Sequence, residues 1–249
     1  MIYTVAVQKG GTGKTTTAAA LAQAAAADGR RVLAVDLDPQ SNLTSALAGQ
    51  PAEHSSYDLF TGQPARDLIQ TTPQGVDLIP GSADLAALTL EKGGARKLQE
   101  ALKGIRADYD FIIIDTPPTA GTLQYNALQA ADRLLIPLQA DSYNINSLRQ
   151  ITDTARQIQG SNPALTIGGV IITKYDSRPT INRQLRQMLE GAALALNIPY
   201  LGEVRKSVAI KEAAALQRSL FEYAPKSKPA QDYLDIYKAQ EYSAEIFKD

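Results

Sequence analysis

Cysteine is missing altogether from the 249 residues. That excludes disulfide staples, thiol nucleophiles and any thiolate-held iron–sulfur cluster. Histidine is nearly missing. The single one, His54, cannot build a histidine-rich metal centre and reads as a loop residue. An excess of charge of one sign is lacking as well. Lys and Arg total 25 against 26 Asp and Glu, a formal net charge of −1. The whole molecule is therefore no electrostatic magnet for a polyanion, and any nucleic-acid contact must come from a local patch, within one chain or across a dimer. No apolar run is long enough to span a bilayer, and the N-terminus enters a strand directly with no leader before it. The expectation is a cytoplasmic protein. No linker, low-complexity tract or repeat interrupts the chain. With 44% hydrophobic residues, one globular domain over residues 1–249 is expected.

What is present is concentrated near the start. An apolar run, Ile2 to Val7, reads as a buried strand, and an alanine-rich stretch, Thr16 to Ala27, reads as a helix. Between them stands Gln8-Lys9-Gly10-Gly11-Thr12-Gly13-Lys14-Thr15-Thr16. Strand, glycine loop and helix form the context of a phosphate-binding loop. Glycines remove Cβ atoms so that backbone N–H groups close around phosphate oxygens, and the helix N-terminus adds partial positive charge at the same place. Lys14 is placed to reach the β- and γ-phosphates, and the Thr15 hydroxyl to ligate Mg²⁺. The usual pattern has glycine where Gln8 stands. Here a lysine, Lys9, precedes a Gly-Gly pair instead.

Two further apolar runs end in acids. Arg31 to Val35 leads into Asp36-Leu37-Asp38-Pro39-Gln40, and Phe111-Ile112-Ile113-Ile114 into Asp115-Thr116-Pro117-Pro118. Carboxylates at the C-terminal ends of strands lie at the ligand edge of a doubly wound sheet. In a phosphate-loop protein the second run is the Walker B strand, whose aspartate holds Mg²⁺ directly or through water. Asp36 and Asp38, one residue apart, point to opposite sides of a continuing strand, so different roles are expected of them.

Beyond these, Gly49 to Gly75 is weakly patterned, with a short helix near Ser56 to Thr61. Strands are expected at Val76–Pro80, Leu134–Pro137, Ile167–Thr173 and Tyr200–Val204. Helices are expected at Leu85–Leu90, Ala95–Leu102, Leu123–Ala131, Ile145–Ile158, Ile181–Leu196, Ala209–Leu216 and Ala230–Phe247. Strands alternating with helices throughout predict a single-domain α/β fold, its twisted, mostly parallel sheet covered on both faces.

Taken together, Lys9 to Thr16, Asp36-Leu37-Asp38-Pro39-Gln40 and Ile114-Asp115-Thr116-Pro117-Pro118 resemble the ParA/MinD group of deviant Walker ATPases, nearly end to end. Ile136-Pro137-Leu138-Gln139, Tyr175-Asp176-Ser177-Arg178 and Glu222-Tyr223-Ala224-Pro225-Lys226-Ser227 favour the ParA branch, in its short type without an N-terminal DNA-reading domain. The resemblance implies ATP and Mg²⁺ as cofactors and a homodimer that sandwiches two ATP molecules. It implies a partition ATPase whose ATP dimer binds DNA non-specifically and is stimulated by a ParB-like adaptor. A ParA-like positioner of a protein cargo is the alternative. Residues Lys9 to Thr16 would bind nucleotide. Lys9 would reach into the partner's site, Thr15 and Asp115 would place Mg²⁺ with Asp36 supporting the metal shell, and Asp38 would orient the attacking water. Adenine contacts are expected after Thr173 and near Val204 to Ser207. Two departures stand out. Pro179 replaces a threonine common in the family, and Gln217 a common glycine.

The basic residues Arg178, Arg183, Arg186, Arg205, Lys206 and Lys211 crowd the last third of the chain and are the candidates for DNA phosphate contacts. A MinD-like membrane helix is disfavoured, because the tail carries Asp232, Asp235, Glu241, Glu245 and Asp249 against Lys238 and Lys248. Tyr233, Tyr237 and Tyr242 raise a C-terminal tyrosine-kinase cluster, but the spacing of the first two reads better as a buried stripe, with Ala244 and Phe247 also expected to pack on the sheet.

Overall fold

The structure is a computed structural model that describes residues 1–47, 53–88, 94–141 and 144–246, with side chains described as far as Gln240. Its centre is the strand that feeds the glycine loop. β1 (Ile2–Val5) pairs in parallel with β5 (Phe111–Asp115) on one side and β6 (Arg133–Gln139) on the other. Outward from β5 lie β2 (Val32–Asp36), β4 (Asp77–Ile79) and β3 (Gln70–Thr71). Outward from β6 lie β7 (Thr166–Tyr175) and β8 (Tyr200–Arg205). The eight-stranded order is β3-β4-β2-β5-β1-β6-β7-β8, and only the β3–β4 pair is antiparallel. The expected mostly parallel α/β sheet is what the chain builds.

Side-chain alternation divides the core into two layers. Leu33, Val35, Ile112 and Ile114 face one apolar cluster, while Val32, Ala34, Phe111 and Ile113 face the other. The first layer is covered by α3 (Ser56–Thr61), α4 (Lys97–Lys103), α5 (Thr122–Ala130), α6 (Asn144–Gln159) and α7 (Thr180–Ala195). The second is covered by α1 (Lys14–Ala27), α2 (Asn42–Leu47), α8 (Val208–Ala215), α9 (Leu220–Tyr223) and α10 (Lys228–Ile246). α1 has ten buried residues, mostly alanine, because it packs between the sheet and α10 and only small side chains let those layers approach.

Several expectations need correction. Leu85–Leu90 is not an α-helix: a 3₁₀ segment covers Ala83–Ala87, with Leu85 its one buried side chain, and residues 89–90 lie outside the described ones. One buried residue is too little apolar face to sustain a longer helix. Ala95–Leu102 begins as a 3₁₀ turn, Gly94–Arg96, before α4. β3 and α9 were not foreseen, being two and four residues long.

The tail resolves as a packed helix. Tyr233 and Tyr237 are buried, and the Tyr237 hydroxyl donates to Asp28 at 3.0 Å. Asp232 does not belong to an exposed acidic face: it is buried and receives Arg205. Tyr242 and Ala244 lie among the side chains that are not described, and Phe247 lies outside the described residues. His54 sits exposed in a bend. No helix among the described residues is long and apolar enough to cross a membrane.

Candidate nucleotide site

The glycine loop leaves the C-terminal end of β1 between the ends of β5 and β6, the crevice where doubly wound sheets hold ligands. Gly11 and Gly13 have φ of 74° and 91°, so the loop curls through left-handed turns that put successive N–H groups on one side. Gly13 caps α1 with no side-chain acceptor, and no acid occupies the helix's first turn. The positive end of a 14-residue helix therefore opens onto the loop. The two face a cleft of about 570 Å³ lined at this end by Gly10, Gly11, Gly13, Lys14, Thr15, Thr16 and Asp38.

Lys14 is buried, and its Nζ donates to the Lys9 carbonyl at 3.0 Å. Burial lowers its pKa, and the carboxylates of Asp115 and Asp38 partly oppose that shift. Asp115 ends β5 fully buried. Its Oδ1 accepts the Thr116 N–H at 3.1 Å, while Oδ2 has no hydrogen-bond partner. Burial, and then the charge of Asp36, push its pKa well above the usual carboxylate range, with the Thr15 hydroxyl and Lys14 pulling the other way. A buried carboxylate oxygen without a donor, beside a threonine hydroxyl at a phosphate loop, suits a divalent cation or its bound water. The residues present fit Mg²⁺.

Asp36 is registered opposite Asp115 on the neighbouring strand. Both its oxygens are occupied: Oδ1 accepts the Asp38 N–H at 3.0 Å, and Oδ2 accepts the Thr44 N–H at 2.8 Å and hydroxyl at 2.7 Å. Burial raises its pKa to about 6 against the pull of those donors. Asp36 thus ties α2 and the turn carrying Asp38 to the sheet, and Asp38 lies on the cleft wall with Oδ1 accepting the Gln40 N–H at 3.0 Å. Lys9, directly before Gly10, is half-buried and held within its own chain. Its Nζ lies 2.7 Å from Asp141 Oδ2 and 3.0 Å from Oδ1, just past the end of β6.

The far end of the cleft is formed by Ala19, Ala20 and Gln23 of α1, Ala46, and Ile210, Ala213, Ala214 and Arg218 around α8. Of the positions expected near adenine, Lys174 lines the cleft, whereas Val204 to Ser207 do not. β8 ends one element short of it, and α8 supplies the wall. Three polar residues escaped the sequence reading as parts of the site: Gln139, Asp141 and Thr173. Each stands within two residues of the C-terminal end of β6 or β7, and strand-end position was the available signal.

The basic candidates do not form one free surface. Arg178 is paired with Asp176 at 2.6 Å, Arg186 with Glu190 at 2.7 Å, and Arg205 with Asp232. Arg183, Lys206 and Lys211 are exposed. Pro179 is the N-cap of α7 and offers no side-chain acceptor there. Gln217 has φ of 52°, left-handed backbone that explains why glycine is favoured at that place.

A strand, a left-handed glycine loop ending in Lys-Thr, an uncapped helix and a strand-end aspartate with one unpartnered oxygen define a P-loop nucleotide-binding protein. Comparison with known proteins narrows the class. A family model described as an AAA domain matches residues 1–167. The chain is 36% identical over 250 residues to the chromosome-partitioning ATPase Soj of Thermus thermophilus, covering 97% of this chain and 95% of that one. It is 35% identical over 246 residues to the chromosome partitioning protein ParA of Caulobacter vibrioides, covering 94% and 91%. Among solved structures, cobyrinic acid a,c-diamide synthase from Mycobacterium smegmatis, with bound ATP analogue and magnesium, superimposes with a TM-score of 0.84 at 32% identity, covering 98% and 95%. The chain belongs to the ParA/MinD family of P-loop ATPases, whose cofactors are ATP and Mg²⁺.

Proposed function

We propose that this chain is an ATP-dependent DNA-partitioning ATPase. Two copies close face to face over two ATP molecules, the dimer binds DNA without sequence preference, and a ParB-like adaptor stimulates hydrolysis and release. The observation that carries the reading is Lys9: a second lysine beside the phosphate loop, half-buried and held by the Asp141 carboxylate, in a chain 36% identical to a chromosome-partitioning ATPase across 97% of its length. The likeness to the synthase is one of fold and nucleotide site, and the partition relatives are more similar in sequence.

In this reading Lys14 and the N–H groups of Gly10 to Thr16 hold the phosphates. Thr15 and Asp115 would hold Mg²⁺, which would supply positive charge against the phosphates. Asp38 orients the attacking water, while Asp36 keeps Asp38 and α2 in register with the metal site. Lys9, leaving Asp141, meets the partner's γ-phosphate, so that dimerisation and nucleotide state are coupled. Turnover requires Mg²⁺ and stays slow without the adaptor. The protein works in the cytoplasm on the nucleoid, not at a membrane. Because Arg178, Arg186 and Arg205 are already ion-paired, the DNA contacts fall first to Arg183, Lys206 and Lys211.

Retention on non-specific DNA at several salt concentrations tests the reading. Retention should require ATP and fall steeply with salt, and Lys206→Ala with Lys211→Ala should reduce the salt slope by about two. Equal retention with ADP and ATP would contradict it.

A further inference from the structure

The outer side of the glycine loop is held by three side chains from the ends of β6 and β7. Lys174 Nζ donates to the Gly11 carbonyl at 2.7 Å, and Gln139 Nε2 donates to the same oxygen. Thr173 Oγ1 donates to the next carbonyl, that of Thr12, at 2.5 Å. Lys174 reaches across from left-handed backbone, φ 53°, one residue before β7 ends. A non-glycine residue there is strained, and such strain persists only where the surroundings hold it, commonly at binding sites. Lys174 is exposed and also lines the nucleotide cleft. An exposed lysine gains little from ordering its long side chain unless that order is used.

Peptide planarity gives the contacts a consequence. Within one trans peptide the C=O and the following N–H point to opposite sides. Turning the Gly11 carbonyl toward Lys174 and Gln139 turns the Thr12 N–H away from them. Turning the Thr12 carbonyl toward Thr173 does the same for the Gly13 N–H. Two consecutive donors are thereby set on the inner side of the curl. Gly13 sits close against this brace: an added Cβ would lie 3.4 Å from three side-chain atoms of Thr173.

We propose that Lys174 is a positioning residue of the nucleotide site: with Gln139 and Thr173 it pins the Gly11 and Thr12 carbonyls, so that the loop's N–H groups face the phosphates of a nucleoside di- or triphosphate before it arrives. The inference rests on the nucleotide site and is independent of dimerisation, DNA and adaptor.

The test uses the full chain with Lys174→Ala, Lys174→Gly and Lys174→Arg, reading the Kd for Mg·ADP by titration calorimetry and the nucleotide-free Tm. Lys174→Ala should weaken ADP binding about tenfold, the scale of one charge-assisted hydrogen bond. Lys174→Arg should recover most of that loss. Lys174→Gly should bind as weakly as the alanine variant while its Tm equals or exceeds the wild type's, because the backbone strain is relieved. A Kd within twofold of wild type in both Lys174→Ala and Lys174→Gly overturns the proposal, as does a weakening that follows Tm and is not recovered by arginine. Failure of the wild type to bind Mg·ADP would instead remove the nucleotide reading on which it stands.

Discussion

Lys9 and Asp141 make a pair whose side chains are 30% and 35% exposed, so their attraction is screened and worth at most about 1 kcal/mol. A contact that weak is suited to being exchanged for a triphosphate on a second copy. Asp141→Asn removes the competitor for Lys9, and the ATP concentration giving half-maximal dimer should fall by up to about fivefold. A rise, measured by sedimentation across an ATP series, would mean that Asp141 supports the dimer instead. Gln217 presents a different residue-scale problem. Its left-handed backbone costs about 1–2 kcal/mol, part of which glycine's greater unfolded-chain entropy cancels. Gln217→Gly should therefore raise the denaturation midpoint by the equivalent of about 0–1 kcal/mol, and a clear loss would show that the Gln217 side chain supports the fold. The sequence announced Gly10 to Thr16, Asp36, Asp38 and Asp115 because glycine spacing and strand-end acids leave a pattern. Asp141 was not legible, since its partner lies 132 residues away, and neither was the bond from Lys174 to Gly11, 163 residues apart.

Among elements, the strands around β1 were the most legible. Fully buried parallel strands read as unbroken apolar runs, and Phe111 to Ile114 is such a run. β3 is two residues long and half-exposed, with no alternation to read. Helix ends shifted where the boundary depends on the ligand loop: α1 begins at Lys14, two residues earlier than periodicity suggests, because the loop itself supplies its first turn. The paired ends of β2 and β5 also set a pH dependence. Asp36, with its pKa raised to about 6, and Asp115, shifted in the same direction, keep protons in the folded state that the unfolded chain has already lost. For a carboxyl raised on folding, stability is greatest at the acidic side and falls as pH rises from the unfolded pKa toward the folded one. The nucleotide-free protein should thus lose stability between about pH 4 and 6 in denaturant titrations, and saturating Mg·ADP should flatten the slope, because the cation favours the carboxylates. The exposed Asp110 and Asp176, whose pKa values are lowered by Arg31 and Arg178, act only below this window. A midpoint that rises across the same window without nucleotide would contradict the assignment.

For the whole molecule, the fold places every phosphate-directed group at one edge of one sheet. Lys14 and Asp38 line the nucleotide cleft, the buried Asp115 at the end of β5 acts on Lys14, and Lys9 precedes the loop's glycines. Within a single chain Lys9 is bound to its own Asp141. On the proposed function, two chains complete each other's sites, and hydrolysis parts them. Asp38→Ala, which keeps the binding groups and loses the group assigned to the attacking water, isolates that claim. Its mass by light scattering after gel filtration with Mg·ATP is the most direct measurement. Twice the single-chain mass is expected, stable over time, with one chain's mass under ADP and after the added change Lys9→Ala. A single-chain mass with saturating ATP, or a dimer indifferent to both nucleotide and Lys9, would contradict it.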